Sequence, residues 1–214
     1  MHLRSARIAD IPAIQRITFQ TALLGSSASV FWEDSSLYFD LAYRVYLLPP
    51  LENAMVAEEQ GRILGYILFA PQSDKIKQLF FYRILPFRVL PRLLKGCYHL
   101  GPKSLKFMLR FALDQLFCPL GGLALEKEAP AILHINVDPN AQGKGVGSAL
   151  LKQAFQVLKE RGVPGVHLHT TSFNQKACAL YQKFGFKEYA RKRTYLWQNW
   201  IKEKVFKLAY VKKL

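Results

Sequence analysis

The sequence is poor in cysteine, and its three cysteines, Cys97, Cys118 and Cys178, lie far apart without a Cys-x-x-Cys pair. This spacing argues against a disulfide framework and against a zinc site. Reduced thiols in a cytoplasmic protein are therefore expected, and no metal site is predicted. The first 20 residues carry four charged side chains, so no signal-peptide core is expected there.

The sequence also lacks an uninterrupted apolar run of membrane-spanning length. Its longest apolar stretch, 79–94, is broken by three arginines and two prolines. A transmembrane helix needs about 20 predominantly apolar residues, so this stretch is a poor candidate. Half of the 214 residues are nevertheless hydrophobic, which is enough for the core of a single domain.

Acidic residues are scarce, since 15 Asp and Glu stand against 30 Lys and Arg, and the formal net charge is +15. The excess is concentrated in 71–122 and 187–214, each with nine basic and two acidic residues. Such segments favour contact with an anionic surface, although a solvated basic face without a partner is the simpler alternative. No recognised nucleic-acid motif and no internal repeat occurs, so specific nucleic-acid binding is not expected.

The most informative segment is 131–147, which reads AILHINVDPNAQGKGVG. Its β-branched apolar beginning predicts a strand over 131–137, ended by Pro139 because proline has no N–H for a strand ladder. The glycine-rich turn of 142–147 then leads into an apolar-periodic helix, predicted over 148–160 and ended by Gly162. Bare glycine backbone and the free N–H groups of a helix start form an anion site, for which phosphate is the natural ligand.

The spacing of the glycines separates this turn from two common phosphate loops. It lacks the Gly-Lys-Ser/Thr ending of a P-loop, because glycine follows Lys144, and its G-x-G-x-G pattern is one residue short of the dinucleotide fingerprint. Gln142, Gly145 and Gly147 instead match Gln-x-x-Gly-x-Gly. Here the chain resembles the GNAT superfamily of acyl-CoA-dependent N-acetyltransferases. For this motif alone, a glycine-rich helix start without a ligand is the alternative.

A second motif strengthens the resemblance. Residues 174–186 read N-x-x-A-x-x-L-Y-x-K-x-G-F, which in the family forms the helix and strand that follow the second core strand, here predicted over 166–170. Two motifs at the expected separation are far more specific than one. The close resemblance covers 131–190, is looser over 1–70 and is absent over 72–125.

The resemblance implies an α/β fold with a mixed central sheet, splayed parallel strands and flanking helices. Periodicity, capping residues and turn signals predict further elements: a strand over 3–7, a helix capped by Asp10, a helix over 37–47 capped by Asp34-Ser35-Ser36, a hairpin of 54–58 with 63–70, and a closing strand pair over 186–196 and 205–212.

The segment 72–125 is predicted to be a helical insertion before the CoA-binding strand, with helices over 90–95 and 104–117. The whole chain, 1–214, is predicted to be one N-acetyltransferase domain. The insertion could cover an acceptor pocket, or it could only extend the core behind a basic outer face.

The resemblance implies acetyl-CoA as co-substrate, with its pyrophosphate held by backbone N–H groups of the glycine turn. The residues assigned to this site belong to the turn, the strand before it or the second motif: Val137, Gln142, Gly143, Lys144, Gly145, Val146, Gly147, Ser148 and Asn174. Lys144 could equally be a solvated loop lysine, and Asn174 could serve as a helix N-cap.

Transfer of an acetyl group to an amine requires charge stabilisation on the thioester oxygen and a proton for the leaving thiolate. The resemblance places the first role on the backbone N–H of Ile135 and the second on Tyr181. A tyrosine has an ordinary pKa of about 10, near that of a thiol. A buried aromatic residue on an amphipathic helix is the alternative interpretation of Tyr181.

The general base is less well defined by the sequence. Ala131 stands where many family members have a glutamate, and His169 stands where others, including the ribosomal-protein alanine acetyltransferases, have one. His169 could accept a proton directly or through water, although a packed strand histidine is the alternative. His134, Glu126 and Glu128 are reserve candidates. His167 and His169 could also be considered as a pair of metal ligands, but the sequence offers no suitable third ligand.

The sequence therefore predicts an enzyme that moves an acetyl group from acetyl-CoA to a primary amine by direct attack, with a small molecule as acceptor. A protein N-terminal or lysine acetyltransferase is one alternative, and a CoA-binding regulatory module without turnover is another. The residues do not identify the acceptor amine or the acyl chain length, and they allow a monomer or a homodimer.

Overall fold

The computed structural model describes residues 1–23, 26–49, 51–120 and 122–214. Within them, the strands are β1 (His2–Ser5), β2 (Ala54–Glu59), β3 (Arg62–Ala70), β4 (Ala131–Val137), β5 (Gly165–Thr171), β6 (Lys187–Thr194) and β7 (Val205–Lys213). The α-helices are α1 (Ile11–Thr21), α2 (Ser35–Ala42), α3 (Ser73–Leu79), α4 (Leu90–Leu94), α5 (Pro102–Phe117), α6 (Leu123–Glu128), α7 (Val146–Glu160) and α8 (Gln175–Lys183). Short 3-10 turns cover Ile8–Asp10, Ala28–Val30, Arg44–Leu47 and Pro139–Ala141, and Phe80–Val89 is π-helical. In these ranges no helix is long and apolar enough to cross a membrane.

The strands form one mixed sheet in the order β1-β2-β3-β4-β5-β7-β6. Neighbouring strands are antiparallel except β4 and β5, which are parallel. The parallel pair is joined only at its beginning, by Ala131 with Val166 and Ile132 with His167, and the two strands then separate. This confirms the predicted mixed sheet with splayed parallel strands, and the divergence opens a gap at the carboxyl ends of both strands.

Successive side chains of β3 enter different halves of the core, as the two-residue period of a strand requires. Tyr66 and Leu68 pack in the cluster that contains α1 and α2, and Ile67 and Phe69 pack in the cluster that contains α7. The sheet is therefore covered on both faces. The hairpin between β2 and β3 turns through Gln60 and Gly61, which both have positive φ, as predicted for this connection.

The structure corrects two predictions about the first two helices, one on a capping residue and one on a helix end. Asp10 precedes α1, but its carboxylate makes no cap bond to that helix and instead accepts hydrogen bonds from the Arg4 side chain and the Arg7 backbone. Asp34 does cap α2, accepting from two backbone N–H groups. That helix ends at Ala42 rather than 47, because the chain tightens into the 3-10 turn Arg44–Leu47.

The segment 72–125 is more helical than the sequence predicted. Both expected helices are present, as α4 and α5, but the helical stretch from Ser73 through Val89 was missed. Pro86 and the arginines Arg83 and Arg88 interrupt the apolar periodicity on which a helix prediction depends. The backbone accommodates Pro86 by widening, since the Leu90 N–H donates to the carbonyl of Leu85, five residues back.

Helix α5 leaves its leucines exposed and buries Ser104, Phe107 and Asp114. Asp114 is buried and accepts hydrogen bonds from Thr194 at 2.6 Å and from the Lys207 ammonium at 2.6 Å, which ties α5 to β6 and β7. Leu109 and Leu116 are exposed on the same helix. Polar contacts and aromatic packing thus hold this helix, while much of its leucine surface remains uncovered.

Candidate active site

The glycine turn between β4 and α7 adopts a backbone that favours glycine. Gly143 and Gly145 both have a φ of 79°, in the left-handed region that side chains with a Cβ rarely adopt. Gly145 is also the N-cap of α7, so the free N–H groups of the first helical turn follow it directly. Val146 is buried against the core and fixes the start of the helix.

A groove of about 810 Å³ lies beside this turn. Its lining combines the turn and the end of β4 with the start of α8: Ile135, Asn136, Val137, Gln142, Gly143, Gly145, Val146, Gly147, Ser148, Asn174, Lys176, Leu180, Tyr181 and Lys183, among others. The volume falls in the range of small-molecule and cofactor sites. Lys144 is exposed and does not line the groove, which favours its interpretation as a solvated loop lysine.

Gly147 keeps the floor of the groove open. A Cβ at this position would lie 3.2 Å from the Leu180 side chain, 3.7 Å from Val137 and 3.8 Å from Ile135. The absence of a side chain therefore lets a ligand approach the backbone between β4 and α8. A glycine at this position fits a diphosphate cradle, because a bare N–H can reach an anion only where no Cβ intervenes.

The start of α8 forms the opposite wall. The Asn174 side chain accepts a hydrogen bond from the Ala177 N–H at 3.3 Å, so it caps the helix as well as lining the groove. The sequence reasoning missed Lys176, whose Nζ lies 3.5 Å from Oε1 of Gln142, and Lys183. Both lysines add positive charge along the groove. Their location within the second motif could have identified them as site residues.

The backbone N–H of Ile135 points into the gap between the splayed strands. The Asp138 N–H donates to the Leu64 carbonyl on β3 at 2.8 Å. Because N–H directions alternate along a strand, the N–H groups of Asn136 and His134 also face β3, and that of Ile135 faces the other edge. On that edge β5 has already separated from β4, which leaves the Ile135 N–H directed toward the gap.

Tyr181 reaches the gap from α8. It is only 6% exposed and packs beside Phe186 and Tyr210, yet it lines both the large groove and a smaller cleft next to it. Burial raises the pKa of the Tyr181 phenol, with further contributions from Cys178 and Tyr43. The hydroxyl therefore stays protonated at neutral pH and can act as a proton donor.

The smaller cleft, of about 160 Å³, continues beyond the end of the groove. It is lined by polar and aromatic side chains from both central strands and from the surrounding elements: Thr21, Tyr43, His134, Asn136, His169, Thr170, Thr171, Asn174, Tyr181 and Trp197. Ile135 and Tyr181 border the groove and the cleft alike. The structure thus brings the three predicted catalytic residues, Tyr181, His169 and Ile135, around one space.

The three histidines of β4 and β5 differ in their hydrogen-bond partners and in their exposure to the cleft. His167 is buried and its Nδ1 lies 2.6 Å from the Ala129 carbonyl, a structural hydrogen bond. His134 lies 3.1 Å from the Tyr46 hydroxyl through Nε2, whereas His169 is open to the cleft. Desolvation by the surrounding protein and the proximity of His167 lower the pKa of His169 to about 4, and desolvation likewise lowers that of His134 to about 4.

The reserve carboxylates lie elsewhere. Glu126 is paired with Lys77 at 3.0 Å, and neither Glu126 nor Glu128 lines the cleft. Within the described ranges, no group of three or more His, Cys, Asp or Glu side chains is arranged to hold a metal ion. Of the predicted proton-transfer groups, Tyr181, His169 and His134 are therefore the ones that line this cleft.

A polar network at the back of the cleft was not expected from the sequence. The Asn136 amide donates to the Tyr66 hydroxyl at 2.7 Å and accepts from the Thr21 hydroxyl at 3.0 Å. Thr18 contacts the same tyrosine hydroxyl. These bonds join α1, β3 and β4 and fix the Asn136 side chain at the cleft. In the sequence, the only indication of this network was the polar residue Asn136 within a mostly apolar strand.

Comparisons with known proteins agree with this geometry. Residues 105–186 match the sequence model described as the acetyltransferase (GNAT) family. A mycothiol acetyltransferase from Beutenbergia cavernae is 48% identical over 52 residues, covering 24% of this chain and 18% of that protein. The [ribosomal protein bS18]-alanine N-acetyltransferase of Escherichia coli K12 is 39% identical over 64 residues, covering 30% of this chain and 43% of that protein. The chain thus spans less than half the length of these relatives.

The whole fold is similar to that of a solved protein. The crystal structure of SsHAT superposes with a TM-score of 0.73 and 26% sequence identity, covering 99% of this chain and 97% of that one. The similarity therefore extends over the helical segment before β4 as well as over the two motifs.

Proposed function

We propose that the chain, whose residues 105–186 match the GNAT acetyltransferase family and whose fold is similar to that of SsHAT, is an acetyl-CoA-dependent N-acetyltransferase. The observation that carries the proposal is the separation of β4 and β5 directly beside the glycine turn. An extended groove at that turn leads to a gap bordered by a backbone N–H, a protonated phenol and a histidine.

The chain's own residues fit acetyl-CoA at three points. N–H groups of the turn from Gly143 to Ser148 would hold the pyrophosphate, supported by the dipole of α7 and by Lys176. The open edge of β4 would pair with the pantetheine arm. At Gly147 the ligand could approach the bare backbone, and a Cβ at this position would block that approach. When bound, acetyl-CoA supplies the activated acetyl group as a thioester.

The transfer itself needs few groups from the protein. The Ile135 N–H would donate to the thioester oxygen as negative charge develops there. As the amine nitrogen bonds to the acetyl carbon and the carbon–sulfur bond breaks, Tyr181 would give its proton to the departing sulfur. The proton lost by the amine would pass to His169, directly or through water. His169 is preferred over His134 because the latter is hydrogen-bonded to Tyr46.

The acceptor is proposed to be a small primary amine. The cleft beyond the groove measures about 160 Å³, smaller than typical drug-sized ligand sites, and it is lined mainly by polar and aromatic side chains. It therefore suits the amine end of a small molecule, or a single terminal residue of a peptide. The relatives include enzymes named for each class, mycothiol and a ribosomal-protein alanine.

We also propose that residues 1–214 form one domain. The core cluster on the α1 face combines Ile14 and Tyr66 with Ile84, Val89 and Phe107 from the segment before β4. A segment that shares this core is expected to fold with the rest of the chain rather than alone.

Titration calorimetry with CoA, followed by thiol release from acetyl-CoA with a panel of small amines and N-terminal peptides, tests the function. Binding together with turnover on small amines supports the proposal, and turnover confined to peptides would replace the acceptor class. Tight CoA binding without turnover on any amine would indicate a regulatory CoA-binding module. The absence of heat with CoA would refute the proposal altogether.

A further inference from the structure

The helical segment before β4 leaves large apolar side chains in solvent. Six of them, between residues 81 and 94, form what we call the aromatic–leucine face: Phe81, Tyr82, Phe87, Leu90, Leu93 and Leu94. Tyr82, Phe87 and Leu94 are 76%, 78% and 87% exposed. Isolated exposed hydrophobic residues are ordinary, but such a concentration in one segment marks an interaction site.

A cationic cavity adjoins this face. We call it the arginine groove; it measures about 600 Å³ and is bordered by Arg44, Arg83 and Arg88 and by the apolar residues Leu47, Ile84 and Phe87, among others. Phe87 belongs to both features, so the groove opens beside the aromatic–leucine face. A lining that combines arginines with apolar side chains suits a ligand that is anionic at one end and apolar at the other.

The arginines around the groove outnumber the carboxylates that pair with them. Asp40 is buried and is shared by Arg88, at 2.8 Å, and Arg92, at 3.9 Å. Burial and the nearby Arg88 lower the pKa of Arg44, opposed by Asp40. Arg83 is exposed at the rim. One carboxylate therefore serves several guanidinium groups, which favours the approach of an external anion.

We propose that the aromatic–leucine face and the arginine groove dock the protein on the surface of an anionic lipid bilayer. The lipid phosphate would accept hydrogen bonds from Arg44 and Arg83, and the exposed aromatic and leucine side chains would enter the boundary between headgroups and acyl chains. Aromatic residues favour that boundary, and each basic residue near an anionic leaflet adds to the attraction.

Two other occupants fit the surface less well. A nucleic acid would satisfy the arginines, but it would leave Phe87, Leu93 and Leu94 in water, because phosphates offer no apolar phase. A second copy would cover the apolar side chains, but it would bring two sets of arginines together in a chain of net charge +15. A bilayer supplies both the anionic and the apolar partner.

The test is co-sedimentation of the full chain with phosphatidylcholine vesicles prepared with and without phosphatidylserine. Binding is expected only with phosphatidylserine and is expected to weaken as salt is raised. Arg44→Gln with Arg83→Gln is expected to reduce affinity roughly 25-fold, since each basic residue near the surface contributes about fivefold. Phe81→Ser with Phe87→Ser is expected to reduce it by at least about tenfold through lost apolar burial.

Control variants remove the same number of basic residues, or an exposed apolar side chain, elsewhere on the protein. Lys152→Gln with Lys159→Gln on α7, and Ile8→Ser in the exposed turn before α1, are expected to bind like the wild type. Thermal melts of all variants verify folding, and the assay needs no acetyl-CoA, so its result is independent of the proposed activity. Equal binding to neutral vesicles, unchanged binding of both variant pairs, or light scattering that shows a dimer broken by Phe81→Ser with Phe87→Ser would each overturn the proposal.

Discussion

Alanine substitutions at two glycines of the same turn, Gly145 and Gly147, are expected to change the stability of the unliganded protein differently. Gly145 has a φ of 79°, and a Cβ there would meet no described atom within 4 Å. The cost of Gly145→Ala is therefore backbone strain alone, about 1–2 kcal/mol. For a chain of this size each kcal/mol lowers Tm by about 2–4 °C, so a decrease of roughly 2–8 °C is expected.

Gly147→Ala should behave differently, because Gly147 does not have a positive φ. Its Cβ would lie 3.2 Å from Cδ2 of Leu180, the end of a flexible side chain that can shift. Alanine also favours a helix over glycine by up to about 1 kcal/mol. The unliganded protein should thus be unchanged or slightly more stable, yet the methyl group would occupy the space through which a diphosphate reaches the backbone.

Thermal melts without ligand and calorimetry with CoA separate these effects. Gly147→Ala should weaken CoA binding at least roughly tenfold, because losing one hydrogen bond to a charged group costs about 1.5–3 kcal/mol. Gly162→Ala is the control, since its φ of 68° carries similar strain at the end of α7, outside the groove. It should lower Tm and leave CoA affinity intact. Wild-type CoA affinity in Gly147→Ala would refute the idea that bare backbone in this turn binds the ligand.

Three further predictions concern catalysis, pH and stability. Tyr181→Phe should lower kcat about 100-fold with little change in KM for acetyl-CoA, measured by thiol release, and His169→Gln should lower it more than His134→Gln; equal activity of Tyr181→Phe and wild type would exclude the phenol as proton donor. The pKa values of about 4 for both histidines lie below the ordinary 6.5, so the unfolded chain binds more protons between these values. Stability should therefore be lost as pH falls from about 6.5 to 4, and His134→Gln should flatten this dependence in urea titrations; a dependence as steep as that of the wild type would contradict the assignment. Asp114→Ala should cost about 3–5 kcal/mol by leaving Lys207 buried without its partner, and adding Lys207→Met should recover part of it; additive losses would mean that the two side chains do not interact.

The sequence predicted best those parts of the site that depend on local backbone chemistry. The strand over 131–137 and the glycine turn of 142–147 follow from β-branched residues and from residues that alone tolerate a positive φ. Such requirements are visible within a few consecutive residues. The position of Tyr181 at the gap rests on the family resemblance, and the structure brings it to the same space as Ile135 and His169.

The rest of the site depends on contacts between distant segments, which periodicity does not encode. Asn136 is fixed by Thr21 and Tyr66, which lie 115 and 70 residues away in sequence. Nothing in the neighbourhood of Asn136 indicates those partners. The difference between His134 and His169 is likewise not visible in the sequence. Only the fold brings Tyr46 to His134 and leaves His169 open to the cleft.

Helix α5 shows why the acceptor side was the hardest part to predict. An amphipathic pattern normally places leucines inward, but here the inward residues include Phe107, which stacks on Phe31 with ring centroids 4.4 Å apart and lies 5.6 Å from Trp197. Trp197 in turn lines the small cleft. The segment before β4 therefore shapes the cleft through aromatic contacts with the loop between β6 and β7, 90 residues further along. The proposed acceptor would meet this wall, so we expect residues such as Phe107 to influence specificity without touching the substrate.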